Sequence, residues 1–318
     1  MVKIFKKNEA SEFGFGTITN SSGKRILNKD GSANILRLGE PRFNIINIYH
    51  SLITMSWWKF NLLVFLFYIA TNTLFSLIYY FIAPNGIAGM IYTTEWEHFL
   101  EVFFFSAQSL TTVGYGRLNP IGTFTSSMAA IESMIGLLGF ALATGLLYGR
   151  FSRPTAKLIY SDNILISPYT HATLSLNAPT ALMLRITNAR TNQLIEVEAL
   201  LLFAYNEEFN GKIFRRFQRL KLEVEKINLL AMSWTVVHPI NEESPLKELT
   251  AKDYKSLDAE FMVNIKAIDD TYVQQVYSRT SYKWQELIQN AKFHSIISTA
   301  EDGRTALDLR NISSYETV

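Results

Sequence analysis

The chain has 318 residues, a formal charge of +2 and no cysteine. That length allows one to three domains; the near-neutral balance gives no support for a nucleic-acid partner, and the missing thiols exclude disulfides and thiolate metal sites. Charge is unevenly spread. Residues 57 to 149 hold only Lys59, Glu95, Glu97, Glu101, Arg117 and Glu132, whereas residues 155 to 318 are rich in Lys, Glu and Asp.

Residues 1 to 42 are polar and read as a cytoplasmic N-terminal segment; the first 40 lack the apolar centre of a cleavable signal. FGFG at Phe13 to Gly16 lacks the third glycine and the preceding strand of a phosphate loop, and reads as a plain loop. NKDGS around Asp30-Gly31 is a hairpin-type turn signal. From 43 to 56, Phe43, Ile46, Tyr49 (or His50) and Ile53 stand at helical spacing, ahead of Trp57-Trp58-Lys59. Aromatic rings and a lysine favour the headgroup region, so a slide helix lying along the membrane surface is expected.

From Trp57 to Ile82 the chain is nearly uncharged for 26 residues. At 1.5 Å per residue this reaches roughly 39 Å, enough to cross a hydrocarbon core of about 30 Å. Pro84-Asn85-Gly86 stops it. A second span is expected from about Phe124 past Tyr148 to about 150, interrupted only by Glu132. Between the two, a shorter apolar stretch from Trp96 predicts a re-entrant pore helix at about 97–111, followed at once by Thr112-Val113-Gly114-Tyr115-Gly116. The whole region 57–153 forms one membrane domain in this reading. Residues 1 to 56 carry eight basic side chains, Arg150, Arg153 and Lys157 follow the second span, and the intervening connection has only Arg117. That asymmetry predicts that both termini face the cytoplasm in a multi-pass protein of the cell membrane.

After Pro154 the pattern changes to period-two alternation with turn signals, as in 181 to 205, KINLLAMSWTVVHPI and AEFMVNIKAI. Short strands with little helix predict a β-sandwich over 154–318. A Gly-x-Gly-x-x-Gly sequence is missing there, which disfavours a nucleotide-binding Rossmann domain. His50, His98, His171, His238 and His294 lack metal spacing and read as structural.

The glycine loop raises the question of function, because irregular backbone at membrane depth must be shielded or line a watery cavity. A dehydrated potassium ion needs several oxygen ligands. Consecutive carbonyls supply them only if all point one way, which requires the backbone to alternate between right- and left-handed dihedrals. Gly114 and Gly116 take left-handed values without a Cβ penalty. Thr112 can add a hydroxyl layer, while Val113 and Tyr115 turn outward. The carbonyl end of the helix running to about Thr111 favours a cation below it. One chain supplies one wall, so four must surround the axis.

With these residues in view the chain resembles the inward-rectifier potassium channels, most nearly the prokaryotic branch. The resemblance runs from about Asp30 to the C-terminus. Beyond TVGYG it includes WW-Lys59, TGLLYGRFSRP (144 to 154), NAR (188 to 190), VVHPINEESPL (236 to 246), SRTSY (278 to 282) and EDGR (301 to 304). It implies a homotetramer whose immunoglobulin-like cytoplasmic domains extend the pore, with K+ as the permeant ligand, no cofactor and no enzymatic activity. Glu132 then falls on the second span as a cavity-lining carboxylate or, alternatively, as a hydrogen-bonding partner of the pore helix. Phe140 matches the cavity position where strong rectifiers carry an acidic residue; its apolar ring argues against strong block by Mg2+ or polyamines. Gly145 matches an inner-helix hinge and Tyr148 the bulky side chain at the bundle crossing. Lys59, Arg150, Arg153 and Lys157 are candidates for anionic lipid, each basic group near such a surface contributing about 1 kcal/mol. Gln108 and Thr111 would support the filter, although Gln108 replaces a glutamate that many relatives pair with arginine. Val273 aligns with a cytoplasmic constriction. The rival readings are a two-span potassium channel gated by a small ligand and a membrane receptor or adaptor with a β-sandwich.

Overall fold

The structure, a computed structural model, describes residues 25–36, 38–39, 45–169 and 178–318. FGFG, Phe43, Arg37, Arg42 and His171 lie outside those residues, as does the side chain of Ile46. The chain divides into two compact units, one spanning Gly39–Arg153 and the other formed by the rest.

The first unit is helical. Helix α1 covers Ile45–Thr54 and α2 covers Trp57–Ile82. A two-residue strand β1 (Ile87–Ala88) leads to α3 (Glu95–Leu110), and β2 (Asn119–Pro120) leads to α4 (Gly122–Phe151). The helix α3 begins at Glu95, ahead of the expected 97, because Thr94 and Glu97 close a capping box: Thr94 Oγ1 accepts from the Glu97 N–H at 3.2 Å and Glu97 Oε2 accepts from the Thr94 N–H at 3.2 Å. Likewise α4 starts at Gly122 rather than 124 and runs unbroken through Gly145. Helices α2 and α4 are long and apolar enough to cross a membrane, yet only 22% and 6% of their apolar windows are covered by the chain itself. A soluble core helix would be mostly covered. Phe75, Tyr79, Ile87, Val102, Phe105 and Leu118 form the packed centre of this unit, with Met128 and Ile135 of α4 against it.

The second unit is β-rich. One five-stranded sheet joins β6 (Leu194–Phe209), β7 (Lys212–Leu220), β8 (Lys226–Leu230), β10 (Glu260–Asp269) and β11 (Gln274–Lys283). The other joins β3 (Leu158–Tyr160), β4 (Ile164–Pro168), β5 (Thr180–Asn188), β9 (Ser233–Ile240) and β12 (Leu287–Gln289). The stretch KINLLAMSWTVVHPI holds two strands, β8 and β9, which belong to different sheets. Alternate residues of each sheet meet in a single core: Leu182, Leu184 and Ile186 from β5 face Phe203, Phe261 and Val263 from β6 and β10. A register shift between Lys266 and Ile268 lets Glu196 take φ 49° opposite. Helix α5 (Ala251–Ser256) precedes β10, and small ladders β13 (Ala291–Phe293) with β16 (Tyr315–Thr317) and β14 (Ile297–Thr299) with β15 (Thr305–Leu307) finish the chain.

Candidate functional site: a glycine loop between two apolar helices

Helix α3 ends at Leu110, and its last carbonyls receive the next amides. The Thr111 N–H donates to Ala107 O at 3.2 Å, that of Thr112 to Ser109 O at 3.1 Å and that of Val113 to Gln108 O at 2.9 Å. Beyond this the backbone alternates in hand. Thr112, Gly114 and Gly116 have φ of 60°, 55° and 89°, while Val113 and Tyr115 stay on the negative side. Such alternation turns successive carbonyls toward one side of the strand. The glycines adopt it freely; Thr112, β-branched, does so at a cost of about 1–3 kcal/mol. Sequence reasoning placed left-handed backbone at the glycines only. Counting back in twos from Gly116 through Gly114 reaches Thr112, which was the available signal.

All residues from Thr111 to Arg117 are exposed in the single chain, and a Cβ on Gly114 or Gly116 would meet no atom within 4 Å. The loop is one open wall. Its outer end is tied down: Asn119 Nδ2 donates to Gly116 O at 2.8 Å, and Arg117 reaches Glu101 Oε2 at 2.7 Å. Below it, a groove of about 820 Å³ brings Thr111 and Thr112 together with Leu110, Phe67 and Phe140. Phe140 and Tyr148 are 75% and 74% exposed, so neither ring is occupied by its own chain. Gly145 is exposed and a Cβ there would touch nothing within 4 Å. Gln108 is half-buried on α3.

Two placements bear on the sequence reading. Of the two readings of Glu132 the structure supports the second, a hydrogen bond to the short helix, and not the cavity-lining one: the side chain is 0% exposed, turned between α2 and α3, where Tyr79 Oη donates to Oε2 at 2.7 Å and Ser106 Oγ donates to Oε1. Ser106 in turn lies 3.1 Å from Asn72 Oδ1. An apolar helix has no polar face to indicate direction, and Tyr79 sits 53 positions away. Arg150, a candidate for anionic lipid, is engaged by its own chain. Its Nη1 and Nη2 donate to Leu52 O at 2.6 Å and Met55 O at 2.7 Å, and its guanidinium stacks 4.6 Å from Trp57 and 4.7 Å from Phe60. The C-terminal carbonyls of α1 attract a cation, and the rings shield it.

Lys59, Arg153 and Lys157 are exposed, Lys59 lying 5.9 Å from the Trp58 ring. Val273 tops the β10–β11 hairpin, 79% exposed and at φ 52°, an unusual conformation for a β-branched residue. His238 is buried, its Nδ1 2.6 Å from Lys221 O and its Nε2 2.8 Å from Ser244 Oγ, in keeping with a structural role.

Two long apolar helices framing a short helix and a glycine loop, followed by a β-rich domain, define a membrane ion channel. Comparison with known proteins agrees. Residues 52–152 match the family described as ion channel, and residues 171–318 match the inward rectifier potassium channel C-terminal domain. Inward rectifier potassium channel Kirbac3.1 of Paramagnetospirillum magnetotacticum is 38% identical over 90% of this chain and 93% of its own length. The G protein-activated inward rectifier potassium channel 2 of Homo sapiens is 24% identical over 92% of this chain and 73% of its own. Among solved structures, the sporulation control protein Spo0M of Bacillus subtilis overlaps 43% of this chain and 50% of its own at 7% identity, with a TM-score of 0.22 that carries no argument. The chain belongs to the inward rectifier potassium channel family. It is a channel, not an enzyme.

Proposed function

We propose that Thr112–Gly116 is the selectivity filter of a passive K+ pore, completed by four copies of the chain. The observation that carries this is the alternating hand of φ at 112, 114 and 116, directly after α3 and between the two apolar helices. A strand of that hand offers a ladder of carbonyl oxygens on one side, which replaces the water of a bare K+ ion; the partial negative charge at the end of α3 favours the ion just below. The Thr112 hydroxyl adds a lower layer, Thr111 and Gln108 hold the loop's inner end, and Val113 and Tyr115 point away from the axis.

Below the filter, Phe140 lines the cavity and leaves Mg2+ or polyamines without a carboxylate partner, so rectification is weak. Gly145 is the hinge of the inner helix, and four Tyr148 rings close the crossing. Both termini face the cytoplasm, where immunoglobulin-like domains extend the pore past Val273. Anionic lipids act on the exposed bases Lys59, Arg153 and Lys157 below the membrane, with α1 lying along its surface.

Purified protein in liposomes tests this. Wild type is expected to take up rubidium against a sodium counter-ion. Gly114→Ala places a Cβ on left-handed backbone, and selective uptake should fall at least about tenfold while membrane insertion persists. Unchanged selectivity in that variant refutes the filter.

A further inference from the structure

Gln108 meets the loop at its inner end, where its carbonyl accepts from the Val113 N–H. A charge pair stands at the outer end. Arg117, the first residue past the loop, donates through Nη2 to both carboxylate oxygens of Glu101 on α3, at 3.0 and 2.7 Å. Its Nη1 donates to Gly89 O at 3.0 Å. One guanidinium thus ties three segments: the helix before the loop, the strand after it, and the connection between α2 and α3. Gly89 is fitted to this junction. Its φ is 81°, and a Cβ there would overlap the Arg117 carbonyl oxygen. The pairing of Ile87 with Pro120 and Ala88 with Asn119 fixes the same two segments side by side, and Asn119 in turn holds Gly116 O. The Glu101 side chain is 17% exposed and that of Arg117 49%, so the pair is partly shielded from water.

On the reading that Thr112–Gly116 is the filter, we propose that Glu101 and Arg117 form a positioning pair that holds the filter's outer carbonyls at ion-selecting spacing. Neither touches the ion; both act through the backbone between Gly116 and Asn119. Loss of either charge frees the loop's outer end, and carbonyls no longer held in place discriminate less between potassium and sodium.

The test is rubidium uptake against sodium in liposomes for Glu101→Gln, Arg117→Gln and the double variant, with particle size followed by gel filtration. Each single change should lower rubidium-over-sodium discrimination at least about tenfold, and the double should be no worse than Arg117→Gln, which already removes both the pair and the bond to Gly89. Should Arg117→Gln fail to assemble, Arg117→Lys keeps the charge without the two-point reach and is expected to fall between wild type and Glu101→Gln. A selective wild type whose variants keep full selectivity, or a double variant that multiplies the two single losses, overturns the positioning role alone. A wild type that passes rubidium and sodium alike overturns the filter reading and this inference with it.

Discussion

Glu132 shows how one side chain can fix three helices. A carboxylate inside an apolar helix is costly unless its oxygens are occupied, and here Tyr79 of α2 and Ser106 of α3 occupy both. Among the described residues no cation lies within ion-pair distance of it, so hydroxyl donors alone hold it. Tyr79→Phe removes one donor with little change of shape and should cost about 1–3 kcal/mol of stability in detergent, read from denaturant or thermal unfolding. Glu132→Leu leaves both hydroxyls without that acceptor and should cost more than Tyr79→Phe. If both variants unfold with wild type, the network is not structural. The presence of a carboxylate at 132 was legible in the sequence, but its direction was not, since a helix apolar on every side has no face to read. Thr112 differs: its backbone could have been inferred from the glycine spacing, because the same steric rule governs the alternate positions.

At the scale of elements, the span α2 and the order long helix, short helix, glycine loop, long helix follow from runs of uncharged residues and a single Pro-Asn-Gly stop. The strands within 181 to 205, KINLLAMSWTVVHPI and AEFMVNIKAI follow from period-two alternation. What sequence could not supply was the meeting of distant elements, such as the Arg150 side chain of α4 capping α1 and stacking on α2. That junction gives a prediction. Arg150→Ala frees the carbonyls of Leu52 and Met55, so amide exchange across α1 should rise at least about tenfold. Titration with anionic lipid should divide the basic residues: Arg153→Gln and Lys157→Gln lower the response of flux to lipid, whereas the Arg150→Ala channel keeps its lipid slope at an altered open probability. Equal loss of slope in all three would restore Arg150 to a lipid site. The bare Tyr148 ring at the end of the same helix supplies a companion test, since Tyr148→Ala should raise open probability in single-channel records. No change there removes the gate from this position.

At the scale of the whole molecule, the chain passes between its two units twice, at Leu38–Gly39 and at Arg153–Pro154. The first crossing follows a strap that is docked on the β-rich unit. Leu27 is buried among Leu202, Ala204, Phe217 and Met262. The Ile26 and Leu27 amides donate to Glu260 Oε1 at 3.2 and 3.4 Å, and the other Glu260 oxygen meets the fully buried Arg215 at 3.2 Å. Arg25 and Lys29 reach Glu286 at 2.6 and 2.9 Å. Burial would raise the Glu286 carboxyl, but hydrogen bonds from Lys29, Arg25 and the Lys283 amide, with the charge of Arg25, outweigh it and hold the group below the ordinary carboxylate range. A folded-state pKa that is depressed stabilises above the unfolded value, about 4.3 for Glu, and that stabilisation is lost as pH falls through the lower folded value. The strap should therefore stay protected from amide exchange at pH 7 and loosen as the solution is taken below about pH 4. Glu286→Gln should show weaker strap protection already at pH 7 and a flatter response below it, because its side chain no longer titrates. Other carboxylates protonate in the same window, so the decisive quantity is the difference between wild type and variant across it. If that difference is constant with pH, Glu286 does not couple strap docking to protonation.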